Sequence, residues 1–250
     1  MSDRFIHPDA QIAGDAAIGY GTVVEAGVSI GAGAKIGNHV VIYAGCRIGT
    51  SVRIDDHAVI GKQPMRAANS AVTKEDTQPP TVIGNLCIIG TGAVIYAGAV
   101  LAEGVLAADY ATIREQVEIG LRTIIGRGAS IENQCVLGAY CKIETNVYIT
   151  AYSRLGDRVF VAPCVATSND NFVGRTKERF KHFKGVTVET GGRIGTNVTV
   201  LPGKTIGADA LIAAGSLVTQ DAPAGQISMG QPAKPLRPVP EEQLLENQDW

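Results

Sequence analysis

Charge is scarce in this chain, and neither sign dominates. Asp, Glu, Lys and Arg make up 18% of the residues, and 22 basic side chains face 24 acidic ones. A soluble domain carries about a quarter of charged residues. A near-neutral balance supplies no broad field for a nucleic-acid backbone or an anionic bilayer. Aromatic residues are few, at 5% with a single Trp, and no apolar run approaches the length that crosses a membrane. The start, Met1-Ser2-Asp3-Arg4-Phe5, has no apolar stretch of the signal-peptide kind. The expectation is a soluble cytoplasmic protein without nucleic-acid or membrane partners. Five cysteines, Cys46, Cys87, Cys135, Cys141 and Cys164, show no C-x-x-C spacing, which argues against a disulfide framework or a zinc ribbon.

Glycine is abundant, with 30 residues, and an aliphatic residue returns at every sixth position. Ile12, Ile18, Val24, Ile30, Ile36, Ile42, Ile48, Ile54 and Ile60 hold one register. A second run goes from Ile83 to Val161, weakened only at Ala107, and a third from Val188 to Val218. Four residues after each comes a small side chain, as at Ala34, Val40, Cys46, Ala58, Cys87, Cys135 and Cys141, with Lys204 as the exception. Helices space apolar residues by three and four, and ordinary strands by two. A period of six fits a short flat side followed by a sharp turn, with Gly or Asn at positive φ in the turns. Stacked coils then pair as parallel strands and share one continuous core. Four cysteines fall in the small inward slot, where a thiol acts as a small hydrophobe.

The repeated [LIV]-G-x-x-[STAV]-x pattern, from about residue 7 to 237, resembles that of the hexapeptide-repeat acyltransferases. The resemblance implies an all-β, left-handed parallel β-helix with three hexads per coil, against the usual right-handed crossover. It also implies a homotrimer with active sites between subunits. The expected layout is a β-helix domain over 1–238 and a short polar tail over 239–250.

The register breaks at 62–81 and at 168–185. Insertions into a solenoid become side loops and often carry its function. Nearly five coils separate the two, roughly 22 Å along the axis. One small headgroup therefore does not touch both, and the first loop borders a neighbouring subunit, meets a distal part of the substrate, or is structural. The second loop holds Arg175, Lys177, Arg179, Lys181 and Lys184 against Asp170 and Glu178. That excess suits phosphates of a nucleotide-linked substrate or of coenzyme A, or a solvated charged loop.

Asn169-Asp170-Asn171 followed by Arg175 resembles the Asn-Asp segment of the nucleotide-sugar N-acetyltransferases. Thr145-Asn146-Val147-Tyr148 resembles their Asn-Asn-Val-Ser segment, with Thr in place of the first Asn. Gly230-Gln231-Pro232-Ala233-Lys234-Pro235-Leu236-Arg237 is similar to the tail of coenzyme-A-using members, and Val200 to Gly207 to their last-coil motif. The implied reaction is acyl transfer, most simply of acetyl, from acetyl-CoA to an amine of a nucleotide-linked sugar. His182 is the general-base candidate, with an Asp170-oriented water as the other. Asn146 is the residue nearest the amine, and Asn169, Asn171, Arg175 and Lys184 bind substrate. Ala214, Gly215 and Ser216 line the coenzyme-A groove through close backbone approach, with Lys234 and Arg237 toward its phosphates or as caps of the solenoid end.

The N-terminal coils and the TVIG that ends the first loop also resemble the lipid-A UDP-N-acetylglucosamine acyltransferases. This chain has few residues after Pro238 and no His at the turn where their catalytic one is expected. Two other readings stay open. His39 and His57 stand one coil apart and could take a metal with a third ligand from another subunit, as in γ-type carbonic anhydrases. A non-catalytic β-helix that binds small molecules would show every core feature above. No metal is expected.

Overall fold

The computed structural model describes residues 4–70 and 76–248. Its solenoid consists of two-residue strands, each followed by a turn, wound so that every third strand pairs in parallel. Three sheets result. The first has 11 strands, from Phe5–Ile6 through Val23–Val24 and Val41–Ile42 to Leu217–Val218. The second has 10, from Gln11–Ile12 to Thr205–Ile206. The third has 12, from Ala17–Ile18 to Leu211–Ile212 and on into a closing hairpin. The chain turns three corners per coil: first-to-second sheet, second-to-third and third-to-first. They are called here the first, second and third edges of the prism.

Partner residues are one coil apart: Val24 faces Ile42, Ile30 faces Ile48 and Ile36 faces Ile54. In most strands of the prism the second residue points inward and is buried, while the first faces out. The small slot closes the same interior, where Val28, Ala34, Val40, Cys46 and Ala58 are buried. Cys46, Cys87, Cys135 and Cys141 are buried as their register requires, and Cys164, off that register, is exposed. Ala107 is fully buried between Ile89 and Ile125, so a smaller side chain is tolerated in the stack.

The glycines divide into two classes, only one of which has the positive φ expected of turn glycines. Those directly after the aliphatic residue have ordinary backbone angles, apart from Gly61 at φ 83 where the first loop begins. They are required because the next coil lies against them: a Cβ on Gly120 would sit 2.5 Å from the Gly138 carbonyl carbon and 2.6 Å from the Ala139 nitrogen. Positive φ belongs to the third residue after the aliphatic one. Gly21, Gly33, Gly45 and Gly128 occupy it, but so do His39, His57, Tyr110, Gln116, Arg122, Asn146 and Arg158. A non-Gly residue there costs about 1–2 kcal/mol locally. The cost is offset where such an amide bonds the coil before it, as His57 N–H does to the Asn38 carbonyl (2.9 Å). Neighbouring corner amides are taken by side chains: Asp56 Oδ1 accepts from Asn38 (2.6 Å) and Asp157 Oδ1 from Ala139 (2.7 Å).

The C-terminal end is closed. Gln226–Gly230 continues the third sheet and pairs antiparallel with Ala233–Pro238. The segment expected as a polar tail folds back instead. Val239 is buried, its amide bonds the Gly225 carbonyl (2.8 Å), and Leu245 N–H donates to Asp209 Oδ1 (3.0 Å). At the other end Ile6, Ile12 and Ile18 are only partly buried, because no described coil lies beneath them.

Two measurements check this account. Gly120→Ala should lower unfolding stability by about 1–3 kcal/mol, as overpacking against backbone does. Gly14→Ala, where a Cβ meets nothing within 4 Å, should stay within about 0.5 kcal/mol of the parent. Burial pushes the Cys135 thiol up to about 12 from 9.0, against opposing hydrogen bonds from Ser153. A raised acid favours the folded state only while protonated, so the denaturant midpoint should fall as pH climbs from about 9 toward 12. Cys135→Ala should show a shallower decline.

Candidate functional site

Both loops leave from the same edge. The first departs after Val59–Lys62 and returns at Val82; the second departs after Ala166–Thr167 and returns at Thr187. Each therefore spans the first edge, and their roots lie five strand steps apart in the first sheet, roughly 24 Å. The first loop leans across that gap. Its limbs are clasped by Gln63 and Gln78, where Gln78 N–H donates to Gln63 Oε1 (2.9 Å) and Gln63 Nε2 to the Gln78 carbonyl (3.0 Å). Gln116 Nε2 then donates to Gln78 Oε1 (2.6 Å). This contact brings the loop level with the strand Thr112–Ile113, closer to the second loop than its root. Part of the first loop, residues 71–75, lies outside the described residues.

The second loop is shaped by Asp170. Its Oδ1 accepts from Phe172 N–H (2.9 Å) and its Oδ2 from Gly174 N–H (3.0 Å), with Arg179 Nε 3.3 Å away. Desolvation pushes this carboxyl up, but the Gly174 and Phe172 amides and the Arg179 charge prevail and hold it below its usual range. Both oxygens are thus engaged in holding the loop. A short 3-10 turn, Glu178–Lys181, follows. It places Glu178 Oε1 3.2 Å from His182 Nε2 and Glu178 Oε2 3.2 Å from Lys181 Nζ. Lys181 and then His182 hold the Glu178 carboxyl below its usual range. The imidazole is exposed and leans on the Phe172 ring, with centroids 5.7 Å apart. With Nε2–H given to Glu178, Nδ1 is the nitrogen that can accept a proton. The loop closes where Lys184 N–H bonds the Asn169 carbonyl (3.2 Å) and Gly203 N–H the Lys184 carbonyl (3.2 Å). Asn171, Arg175 and Lys184 are exposed, and Asn169 is half-buried at the loop's foot.

The other expected residues lie elsewhere. Asn146 occupies the third edge at φ 57, with the width of the first sheet between it and the second loop. Ala214 and Gly215 are exposed on that third edge, farther along the axis. Ser216 is buried; its Oγ accepts the Gly230 amide (3.1 Å), and the Gly215 carbonyl accepts from Gln231 (2.8 Å), so both residues anchor the hairpin. Lys234 and Arg237 are exposed on the outer hairpin strand. His39 and His57 stack face to face, with centroids 5.3 Å apart and planes at 4°. Among the described residues no group of three or more His, Cys, Asp or Glu is placed to hold a metal ion.

A polar cluster that the sequence reading did not single out fills the first edge between the loops. Arg114 Nε bonds Glu115 Oε2 (2.8 Å), Arg114 Nη1 lies 3.3 Å from Glu132 Oε2, and the guanidinium stacks over Tyr96 at 5.0 Å. Burial works against the Arg114 charge, but Glu115 and Glu132 more than offset it. Burial pushes Glu132 up, helped by Glu115 and opposed by Arg114. Burial also raises Tyr148 and Tyr152. Asn133 is buried and its Oδ1 has no hydrogen-bond partner. The signal in the sequence was position: Arg114, Glu132 and Thr150 each follow an inward aliphatic residue, on successive coils of the edge that carries both loops.

Two family models match the chain: "GMPPB C-terminal domain" over residues 65–160 and "Hexapeptide repeat of succinyl-transferase" over 185–220. The bifunctional protein GlmU of Rubrobacter xylanophilus is 26% identical over 179 residues, covering 64% of this chain and 35% of that protein. The 2,3,4,5-tetrahydropyridine-2,6-dicarboxylate N-acetyltransferase of Staphylococcus aureus is 43% identical over 58 residues, 23% of this chain and 24% of that one. The chain thus spans less than half the length of the curated relatives it matches. Among solved structures, UDP-N-acetylglucosamine O-acyltransferase (LpxA) of Moraxella catarrhalis superposes with a TM-score of 0.56 at 19% identity, covering 94% of this chain and 73% of that one. The fold is the left-handed β-helix. Its repeat matches the hexapeptide-repeat model over residues 185–220, and the curated relatives it is similar to include acetyltransferases.

The cluster makes a testable demand. Arg114→Met leaves the buried Glu115 and the half-buried Glu132 carboxylates uncompensated and should cost about 3–5 kcal/mol at neutral pH. Because Glu132 is raised, its protonated form suits the folded state, and its contribution is lost as pH rises through its range. Denaturant unfolding should therefore show a smaller loss for Arg114→Met at pH 5 than at pH 8.

Proposed function

We propose that this protein transfers an acetyl group from acetyl-CoA to an amine on a nucleotide-linked sugar. The observation that carries this reading is the His182–Glu178 pair, raised beside the Asn169-Asp170-Asn171 segment on the edge of a hexapeptide-repeat prism. The likeness to the N-acetyltransferase of Staphylococcus aureus supports transfer to nitrogen.

The chemistry follows from the groups present. The sugar amine attacks the thioester carbon and gives its proton to His182 Nδ1. Glu178 orients the ring and steadies the imidazolium that forms. The tetrahedral oxyanion takes backbone N–H donors. When it collapses, the C–S bond breaks, the amide forms and the proton passes from His182 to the departing thiolate. Asp170 acts as a positioning residue through the loop amides it holds. Arg175 and Lys184 meet the diphosphate of the acceptor, and Asn169 and Asn171 meet its sugar. Coenzyme A runs along the third edge past Ala214 and Gly215, with Ser216 fixing the hairpin and with Lys234 and Arg237 near its phosphates.

Asn146 and the second loop stand on different edges of one prism. A site that uses both is assembled from two neighbouring prisms, which supports a homotrimer with shared sites. The reading places the enzyme in the cytoplasm, where acetyl-CoA and nucleotide sugars are made.

Thiol release from acetyl-CoA in the presence of UDP-linked amino sugars tests the reading, and absence of turnover across such acceptors overturns it. His182→Asn should lower kcat about 100-fold or more. Mixed oligomers of Asn146→Ala and His182→Asn subunits should recover part of the activity that neither variant has alone.

A further inference from the structure

The cluster on the first edge holds two acceptors with too few donors, and the acyl transfer described above uses neither. Arg114 is committed to Glu115: its Nε meets Oε2 at 2.8 Å and its Nη2 meets Oε1 at 3.0 Å. Glu132 receives only the longer Nη1 contact, at 3.3 Å from its Oε2. Its Oε1 has no partner among the described residues, although the side chain is only 19% exposed. One residue on, Asn133 is 2% exposed and its Oδ1 accepts nothing. A buried acceptor left in this way marks a place where a donor is missing. We propose that this edge, between the two loops, binds the protonated primary amine of a small ligand, with Glu132 as its carboxylate and Asn133 Oδ1 as a further acceptor.

Both acceptors belong to one polar interior. The Asn133 amide lies against the Tyr152 hydroxyl, and the charge of Glu115 is felt by Tyr152 and by Glu132 alike. An ammonium carries three donors and no acceptor, which is the complement of an underpaired carboxylate beside an orphaned carbonyl. A hard metal ion asks for six or more oxygens, and two carboxylates, one of them bound in a fork by arginine, do not supply them. Tyr148 is 42% exposed and close enough to Glu132 for the carboxylate to act on its hydroxyl. Its ring adds an aromatic wall of the kind that attracts a cation. Lys62 stands over Tyr96 at 5.6 Å and is not among the charges that act on Glu132, so the deficit of positive charge there is not met by it.

The place has room for a ligand of limited size. The strands that begin at Thr112, Ser130, Tyr148 and Ala166 follow one another along this edge. The first loop reaches the level of the first of them through Gln116 and Gln78, and the second loop leaves after the last. Three strand steps, roughly 14 Å, separate the two, which suits a single sugar ring. An amino sugar and a simple alkylamine both carry the recognised group. Only the choice of a sugar as its bearer rests on the acyl-transfer reading.

Calorimetry on the full chain without acetyl-CoA, with glucosamine, ethylammonium and glucose as probes, tests the site. Glucosamine should bind at low salt and weaken as salt rises, and glucose should bind at least tenfold more weakly. Glu132→Gln keeps the side chain's shape and an acceptor, and should weaken glucosamine binding about ten- to hundred-fold, the loss of a charge-assisted contact. Its denaturant midpoint separates lost binding from lost folding. Glu118 is exposed on the second sheet, and Glu118→Gln should leave glucosamine binding unchanged. Tighter binding of glucosamine than of ethylammonium supports the site with a sugar as the bearer, and equal binding supports it for the ammonium alone. Absence of amine binding overturns the proposal, as does equal binding of glucose or binding that survives Glu132→Gln in the folded variant. A change of oligomeric state in Glu132→Gln, without amine binding by the parent, would assign the carboxylate to a partner subunit's cation and overturn it equally. Turnover without amine binding at Glu132 removes this site and leaves acetyl transfer standing; amine binding without turnover does the reverse.

Discussion

Each coil's strand amides find their carbonyls on the neighbouring coil. Val23 N–H reaches the Val40 carbonyl, Val41 N–H that of Ala58, and the pattern continues along the prism. A buried amide without a partner costs about 1–3 kcal/mol, so the spacing between coils is held by many bonds at once. The other local features answer to it. Glycine, where it follows an aliphatic residue, is the space that this spacing leaves. The left-handed corners persist under His, Tyr, Gln and Arg because their amides are part of the ladder. Asp and Asn appear at corners where their oxygens take an N–H that no carbonyl reaches.

That rigidity divides the molecule's work by edge. The first edge carries both loops and the Arg114–Glu115–Glu132 cluster between them. The second presents cations on successive coils. The third carries Asn146, Gly215 and the stacked histidines. No side chain can drift from one edge to another, because a corner residue is set by its place in the coil.

The solenoid was legible in the chain because its core signal is one-dimensional. An aliphatic residue at every sixth position specifies strand, turn and neighbour together, and Cys46, Cys87, Cys135 and Cys141 fell into place by register alone. The loops were legible as breaks in that register. Their conformation was not, since it rests on contacts that follow no period: Asp170 to the Phe172 and Gly174 amides, Glu178 to His182, Gln78 to Gln116. The cluster at Arg114 was missed because charges on an outward position look like solvated surface until stacked coils bury them. The docking of Val239 and Leu245 was missed for a related reason. A polar segment with few apolar residues gives no hint of which two will find a surface.

A prism whose coils close after three hexads is also a ruler. Any element inserted at a corner keeps its compass direction when whole coils are added or removed elsewhere, and only its height changes, in steps of about 4.8 Å. The two loops on the first edge therefore form a caliper whose jaws stay parallel at every setting. An architecture of this kind can change the distance between two inserted loops by changing the number of intervening coils, without redesigning either jaw.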